Sequence, residues 1–234
     1  MTEQADLAMT EPAELAMTEP AEPAITEPAE PAITEPADLA YLNGLYARDR
    51  DPWHLREGWY EHRKLQLLLA CLPRERYTAA FEPGCSVGEV TAGLAERCDL
   101  LIAADFHADA VAAARQRTAG LPNVEVRQLL LPQQWPREAR FDLVVLSEIG
   151  YFLSRSAWAE LCARTRASLA ADATVLACHW RRDFAERSQA TDTLHACLGS
   201  ALALPRQTRV SDADFAIDVW TTSSLSVAEA GGLA

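Results

Sequence analysis

The sequence predicts an α/β fold: a doubly wound, mostly parallel sheet of seven strands with helices on both faces. Three observations predict it. Short apolar runs alternate with stretches of helical periodicity from residue 78 onward. A glycine turn, Gly84-Cys85-Ser86-Val87-Gly88, joins the first run to a helical pattern. The second run, Leu100-Leu101-Ile102-Ala103-Ala104, ends on a carboxylate, Asp105. In such a sheet, right-handed crossovers bring every strand-to-helix loop to one edge, where ligands bind.

Taken in order, residues 1–40 are five copies of an octad, beginning MTEQADLA and ending ITEPADLA. Prolines at 12, 20, 23, 28, 31 and 36 interrupt any helix, and an octad is too short for a solenoid unit. The expectation is a disordered, acidic, Pro-rich arm followed by one domain over 41–234. Residues 41–46 read as a short helix. Residues 57–72 form a helical pattern with Tyr60, Lys64, Leu67, Leu68 and Cys71 near one stripe. Together, residues 41–72 are expected as a helical lid on a core spanning 78–222.

Within that core, strands are expected at 78–81, 100–104, 124–127, 141–146 and 174–180. Arg209 and residues 215–221 are expected in a terminal hairpin. Helices are expected over 89–97, 109–118, 154–169 and 191–202. The second of these is alanine-rich and is stopped by Gly120 and Pro122.

Composition narrows the function. The chain has 234 residues and a net charge of −13. Ten of its 34 acidic residues and none of its 21 basic ones fall in residues 1–40. The remainder is close to neutral, so no basic surface signals nucleic acid. The six cysteines form no C-x-x-C pair and no zinc-type spacing with histidine, so no metal is expected and a reduced, cytoplasmic setting is. No long apolar span or signal peptide is visible, and a membrane partner is not expected.

The glycine turn fits more than one chemistry. Residues 84–88 match G-x-S-x-G, which would make Ser86 the nucleophile of an α/β-hydrolase with His179 or His195 as base. That fold needs strands and an oxyanion loop ahead of the nucleophile, and residues 41–77 read as helical. A dinucleotide fingerprint fails because Ser86 replaces its middle glycine and Gly88 comes one residue early. The turn with its leading Glu82 also matches the E-x-G-x-S-x-G loop of S-adenosylmethionine-dependent methyltransferases. Asp105, 17 residues beyond Gly88, can accept both ribose hydroxyls of an adenosine.

Further motifs carry a family resemblance. Asp51-Pro52-Trp53, Trp59-Tyr60-Glu61, residues 82–88, Phe141-Asp142-Leu143-Val144-Val145 and Ser147-Glu148-Ile149-Gly150-Tyr151-Phe152-Leu153 together resemble the nodulation protein S family. The resemblance covers roughly residues 48–222. It implies a Rossmann-like methyltransferase that uses S-adenosyl-L-methionine on a small-molecule acceptor, most simply N-methylation of an amine or amino sugar.

It further implies that Glu82, Gly84, Cys85, Ser86 and Gly88 hold the methionine part of the donor. Asp105 would bind the ribose and Phe106 would lie beside the adenine. The family's acidic residue after the third strand is missing; Gln128 stands there and is expected to substitute. The loop after the fourth strand is expected to face the transferred methyl; Glu148 there is expected to contact the donor and to orient or deprotonate the acceptor amine, with Tyr151 shaping the pocket and His179 at the end of the fifth strand moving a proton. Trp53, Tyr60, Arg63 and Arg181 are expected around the acceptor. A non-catalytic donor-binding or partner module is the reading from another class, and the assembly is expected to be a monomer or homodimer.

Overall fold

The computed structural model describes residues 36–137 and 139–233. The first helix, α1 (Pro36–Arg48), begins inside the last octad rather than after it. A proline fits the first turn of a helix, where its missing N–H is not needed. The rest of the expected arm, residues 1–35, lies outside the described residues. Helix α2 (Trp59–Ala70) starts after Gly58, whose φ of 94° only glycine adopts readily.

Strand and helix then alternate: β1 (Tyr77–Pro83), α3 (Glu89–Ala95), β2 (Cys98–Asp105), α4 (Ala108–Arg117), β3 (Val124–Gln128), β4 (Phe141–Ser147), α5 (Arg155–Ala167), β5 (Leu169–Trp180) and α6 (Thr191–Leu202). The chain closes with the hairpin β6 (Arg206–Ser211) and β7 (Phe215–Thr221), then a short α7 (Val227–Ala230). The seven strands form one sheet in the order β3-β2-β1-β4-β5-β7-β6. All neighbours are parallel except β7, which runs antiparallel to β5 and β6.

The order reverses between β1 and β4, which makes the carboxyl end of β1 the switch point where a ligand crevice opens. Strand β5 begins at Leu169 instead of 174. Its extra residues pair with β4 across a register shift near Phe141, and the alanines and aspartate there carry no strand signature.

Period-two alternation sends the central strands' side chains to two cores. Val144, Leu146, Val175 and Ala177 pack with Trp158 and Leu161 of α5 and Leu194, Leu198 and Leu202 of α6. Leu143, Val145, Leu176 and Cys178 pack on the other face with Leu68 of α2, Leu94 of α3 and the β7 residues Phe215 and Ile217. At the edge away from the crevice, Asp142 accepts the backbone N–H groups of Thr78 and Ala79 at 2.9 Å each and pairs with Arg74, fixing β1 beside β4. All six cysteines are free thiols. Among the described residues no helix is long and apolar enough to cross a membrane.

Candidate active site

A cavity of about 670 Å³ opens at the switch point, within the usual range for small-molecule sites. Its floor is made by the ends of β1, β2, β4 and β5. Helix α1, the following loop and the first turns of α2 roof it.

The glycine turn forms one wall. Gly84 and Cys85 both donate their N–H to Ala104 O, at 2.7 and 2.9 Å, which pins the turn across β2. Gly84, Ser86 and Gly88 have φ of 77°, 47° and 84°, so the turn coils tightly enough to leave space above it. A Cβ on Gly88 would lie 3.0 Å from Ala114 Cα of α4, so here glycine serves helix packing and does not face the cavity. Cys85 is buried at the cavity wall, and burial pushes its thiol pKa well up.

Two buried carboxylates flank the turn. Glu82 is 2% exposed; its Oε2 accepts the Thr91 hydroxyl at 2.6 Å, and burial, with Asp105 adding to it, pushes its pKa up to about 8. Asp105 accepts the N–H of Ser86 and of His107 through its two oxygens, each at 3.0 Å. Burial raises its pKa while those N–H groups lower it. Phe106 lines the cavity beside Leu129, Leu130 and Leu131. Gln128 does not: its amide turns away and donates to Phe106 O at 3.0 Å. The acid absent after β3 is therefore not replaced by this side chain.

Helix α1 reaches over the turn. Tyr46, 4% exposed, shares a hydrogen bond with Ser86 Oγ at 2.9 Å and stacks on His107 with ring centroids 4.4 Å apart. Trp53 meets Tyr46 edge-on at 5.4 Å and Phe152 at 6.1 Å. Nothing in the sequence placed Tyr46 here, because the contact joins residues 40 positions apart. Ser86 is thus bonded to a tyrosine and not to a histidine, against the nucleophile reading.

The opposite wall is a compact polar cluster. Glu148 has φ of 55°, a left-handed conformation that is strained for a side-chain-bearing residue. Its Oε1 pairs with Lys64 Nζ at 2.8 Å. Its Oε2 accepts the Trp180 N–H at 2.9 Å and a short hydrogen bond from the Tyr151 hydroxyl. Lys64 also pairs with Glu61 at 2.9 Å. Burial alone would lower the Lys64 pKa, yet the carboxylates of Glu148 and Glu61 raise it above the ordinary lysine value. Burial and the neighbouring Glu148 push the Tyr151 phenol pKa well up. Tyr60 packs edge-on against Trp180 at 5.4 Å. Lys64, a buried cation on an otherwise apolar stripe, carried no sequence signal of its role.

Besides Gln128, three further expected residues lie elsewhere. His179 is fully buried and faces α5 and α6, because it shares the strand face of Ala177. Its Nε2 accepts the Gly150 N–H at 3.0 Å, so the proton sits on Nδ1 and is donated to His195 Nε2 at 3.0 Å. His195 in turn donates from Nδ1 to Asp218 at 2.8 Å. Burial pushes the His179 pKa well below the usual range, with His195 adding to the effect. This relay holds Gly150 and does not reach the cavity. His195 sits on the buried stripe of α6 with Leu194 and Leu198, a pattern from which a core histidine pair could have been read. Arg63 and Arg181 both grip the β6–β7 turn at Asp212: Arg63 at 2.8 Å, Arg181 through Asp212 O at 3.1 Å. Neither lines the cavity.

The relay gives a stability prediction. His179→Phe leaves the Gly150 N–H and His195 Nε2 unpaired in the core, at about 1–3 kcal/mol each. Urea titration of the variant is expected to show a loss of about 2–5 kcal/mol; an unchanged midpoint would contradict the relay.

Comparison with known proteins fits this geometry. The sequence model of the family described as Nodulation protein S (NodS) matches residues 42–188. The chain belongs to the nodulation protein S family. Nodulation protein S of Rhizobium tropici is 33% identical over 115 residues, 48% of this chain and 47% of that protein. The Sinorhizobium fredii protein is 34% identical over 109 residues, 44% of this chain and 48% of that protein. The chain thus spans about half the length of the curated relatives it matches. A candidate methyltransferase from Pseudomonas syringae is 44% identical, with a TM-score of 0.63 over 70% of this chain and 99% of that one. N-methyltransferase NodS from Bradyrhizobium japonicum, solved with S-adenosyl-L-homocysteine, has a TM-score of 0.69 at 24% identity, over 79% and 97% of the two chains. For a NodS-family chain, the matched segment begins in α1 and ends after β5, so it contains the roof, the glycine turn, Asp105 and the Glu148 cluster.

Proposed function

We propose that this protein is an S-adenosylmethionine-dependent methyltransferase acting on the nitrogen of a small amine or amino sugar. The observation that carries the reading is the pair of buried carboxylates, Glu82 and Asp105, flanking a glycine turn at the switch point. A buried carboxyl with its pKa near 8 is costly to ionise without a cation beside it. The ammonium of an amino-acid-bearing donor supplies that cation. Asp105 keeps lone pairs for ribose hydroxyls beside its two N–H bonds, and Phe106 with Leu129 and Leu130 offers an apolar slot for a base.

Bound there, the sulfonium supplies an electrophilic methyl group. The chain supplies alignment and a dry cavity, and alignment alone contributes up to ~7–11 kcal/mol to such displacements. Gly84, Cys85 and Ser86 hold the donor's amino-acid end, with Gly88 setting the turn. Tyr46 is an added contact over the donor. Glu148, held by three donors, orients the acceptor, and Tyr151 and Trp53 shape its pocket. The Bradyrhizobium protein is an N-methyltransferase, which supports nitrogen as the acceptor atom. Six free thiols support a reducing, cytoplasmic setting. The acceptor is small, and the protein works as a monomer or homodimer without nucleic acid.

Calorimetry with S-adenosylhomocysteine, followed by mass detection of methylated products from a panel of primary amines, tests the proposal. Binding and a product 14 mass units (roughly one CH₂) heavier are expected. Binding without any product leaves the non-catalytic module; no binding removes the proposal.

A further inference from the structure

The polar cluster on the acceptor side is unbalanced. Glu61 and Glu148 bring two negative charges and Lys64 one positive charge, and all three line the cavity. Glu148 already accepts from three donors, Lys64, Tyr151 and Trp180. Among the described residues Glu61 has Lys64 alone as its side-chain partner, at 2.9 Å to one oxygen and 3.2 Å to the other, and its side chain is 18% exposed. The other acids on the cavity wall are engaged differently: Glu82 with Thr91, Glu89 with Arg56 and Arg117, Asp105 with Ser86 and His107, and Glu186 with the Tyr41 hydroxyl.

We infer that Glu61 is a further catalytic residue, the carboxylate that receives the acceptor as its ammonium ion and takes its proton. This rests on the methyltransferase reading above and adds the fate of the acceptor's proton to it. An ammonium entering beside Glu61 brings the cluster to neutrality. The proton passes from nitrogen to a Glu61 oxygen, and the nitrogen lone pair becomes free. That lone pair forms the N–C bond as the C–S bond of the sulfonium donor breaks and its electrons return to sulfur. The methylated amine leaves as a cation, and Glu61 returns its proton to water.

Geometry selects Glu61 over Glu148, since a carboxylate already accepting from an ammonium, a phenol and an N–H is a weak base. The groups facing Glu61 come from four segments: Lys64 and Tyr60 of α2, Glu148 and Tyr151 after β4, Cys178 of β5, and Asp51 of the loop after α1. Asp51 is itself occupied by the N–H groups of Leu55 and Arg56. Burial raises the Glu61 pKa, Lys64 lowers it, and Glu148 raises it again, leaving it above an ordinary glutamate and closer to the working pH of a general base.

The test is Glu61→Gln, which keeps an oxygen for Lys64. Two readouts are taken on the full chain. In the first, calorimetry on protein saturated with S-adenosylhomocysteine compares glucosamine with glucose. The parent is expected to favour glucosamine by about tenfold or more, and the variant to lose that preference while binding S-adenosylhomocysteine unchanged. In the second, kcat/KM for the best amine of the panel is followed from pH 6 to 10. The variant is expected to fall about 100-fold near pH 7 and to recover as the free amine appears in solution, with Glu61→Asp in between. A variant with the parent's preference and pH profile overturns the role of Glu61 and leaves the methyltransferase reading intact. A parent that binds no S-adenosylhomocysteine overturns both.

Discussion

Glu82→Gln is expected to weaken donor binding strongly and, at the same time, to make the protein more stable than the parent at alkaline pH. The carboxyl lies near the end of β1 under the glycine turn; burial, with repulsion from Asp105 and against the hydrogen bond from the Thr91 hydroxyl, raises its pKa from an ordinary 4.5 to about 8. The folded state therefore binds a proton here that the unfolded state has lost. Its stabilising contribution is complete below about pH 4.5 and disappears as pH rises through about 8. At ~1.36 kcal/mol per pKa unit, the whole difference approaches roughly 5 kcal/mol as an upper limit. Glutamine cannot ionise, and its oxygen still accepts from Thr91. Thermal melts at pH 8.5 are expected to show the variant about 5–10 °C above the parent, with the two converging near pH 5. Calorimetry should show S-adenosylhomocysteine binding weakened by about 100-fold or more, since the donor's ammonium loses a buried counter-charge. A variant that melts with the parent at both pH values would mean that this carboxyl ionises without cost.

The same residue shows what a sequence can reveal of such a site. Glu82 and Asp105 are legible because each interrupts an apolar run at its end, and in a parallel sheet the strand ends share one edge. The glycine turn is legible because small residues at 84, 86 and 88 leave few uses other than a tight backbone coil. The roof is not legible. Tyr46 reaches Ser86 through helix packing, and the helix carrying it grows out of a repeat whose composition argues against structure. His179 was misplaced for a specific reason: its position at a strand end is readable, but the face it points to depends on register. One residue further on, Trp180 faces the cavity. Gln128 failed similarly, because its backbone lies where expected while its side chain satisfies a neighbouring carbonyl. Arg63 and Arg181 found a nearer anion, Asp212, on a hairpin whose turn no periodicity locates.

Lys64→Met is expected to be the most damaging single change on the acceptor side. The Lys64 side chain is about nine-tenths enclosed and its ammonium is shared by Glu61 and Glu148, so its loss leaves two partly buried carboxylates without their counter-charge. Breaking a buried pair from one side costs about 3–5 kcal/mol, because the remaining charge is left without compensation. The strained φ of Glu148 adds to the effect, since the loop after β4 holds it only while Lys64, Tyr151 and the Trp180 N–H grip the side chain. Urea titration should therefore show a loss of several kcal/mol, and methyl transfer should disappear even where the donor still binds. The decisive comparison is Lys64→Met with Glu148→Gln. Removing the charge that Lys64 compensates should restore about half of the lost stability, a coupling of about 1–3 kcal/mol, without restoring turnover. Additive losses would instead place Lys64 and Glu148 in separate roles. A recovery of stability alone would show that this cluster is maintained against its own cost in stability, by the need to fix a charged floor for the acceptor.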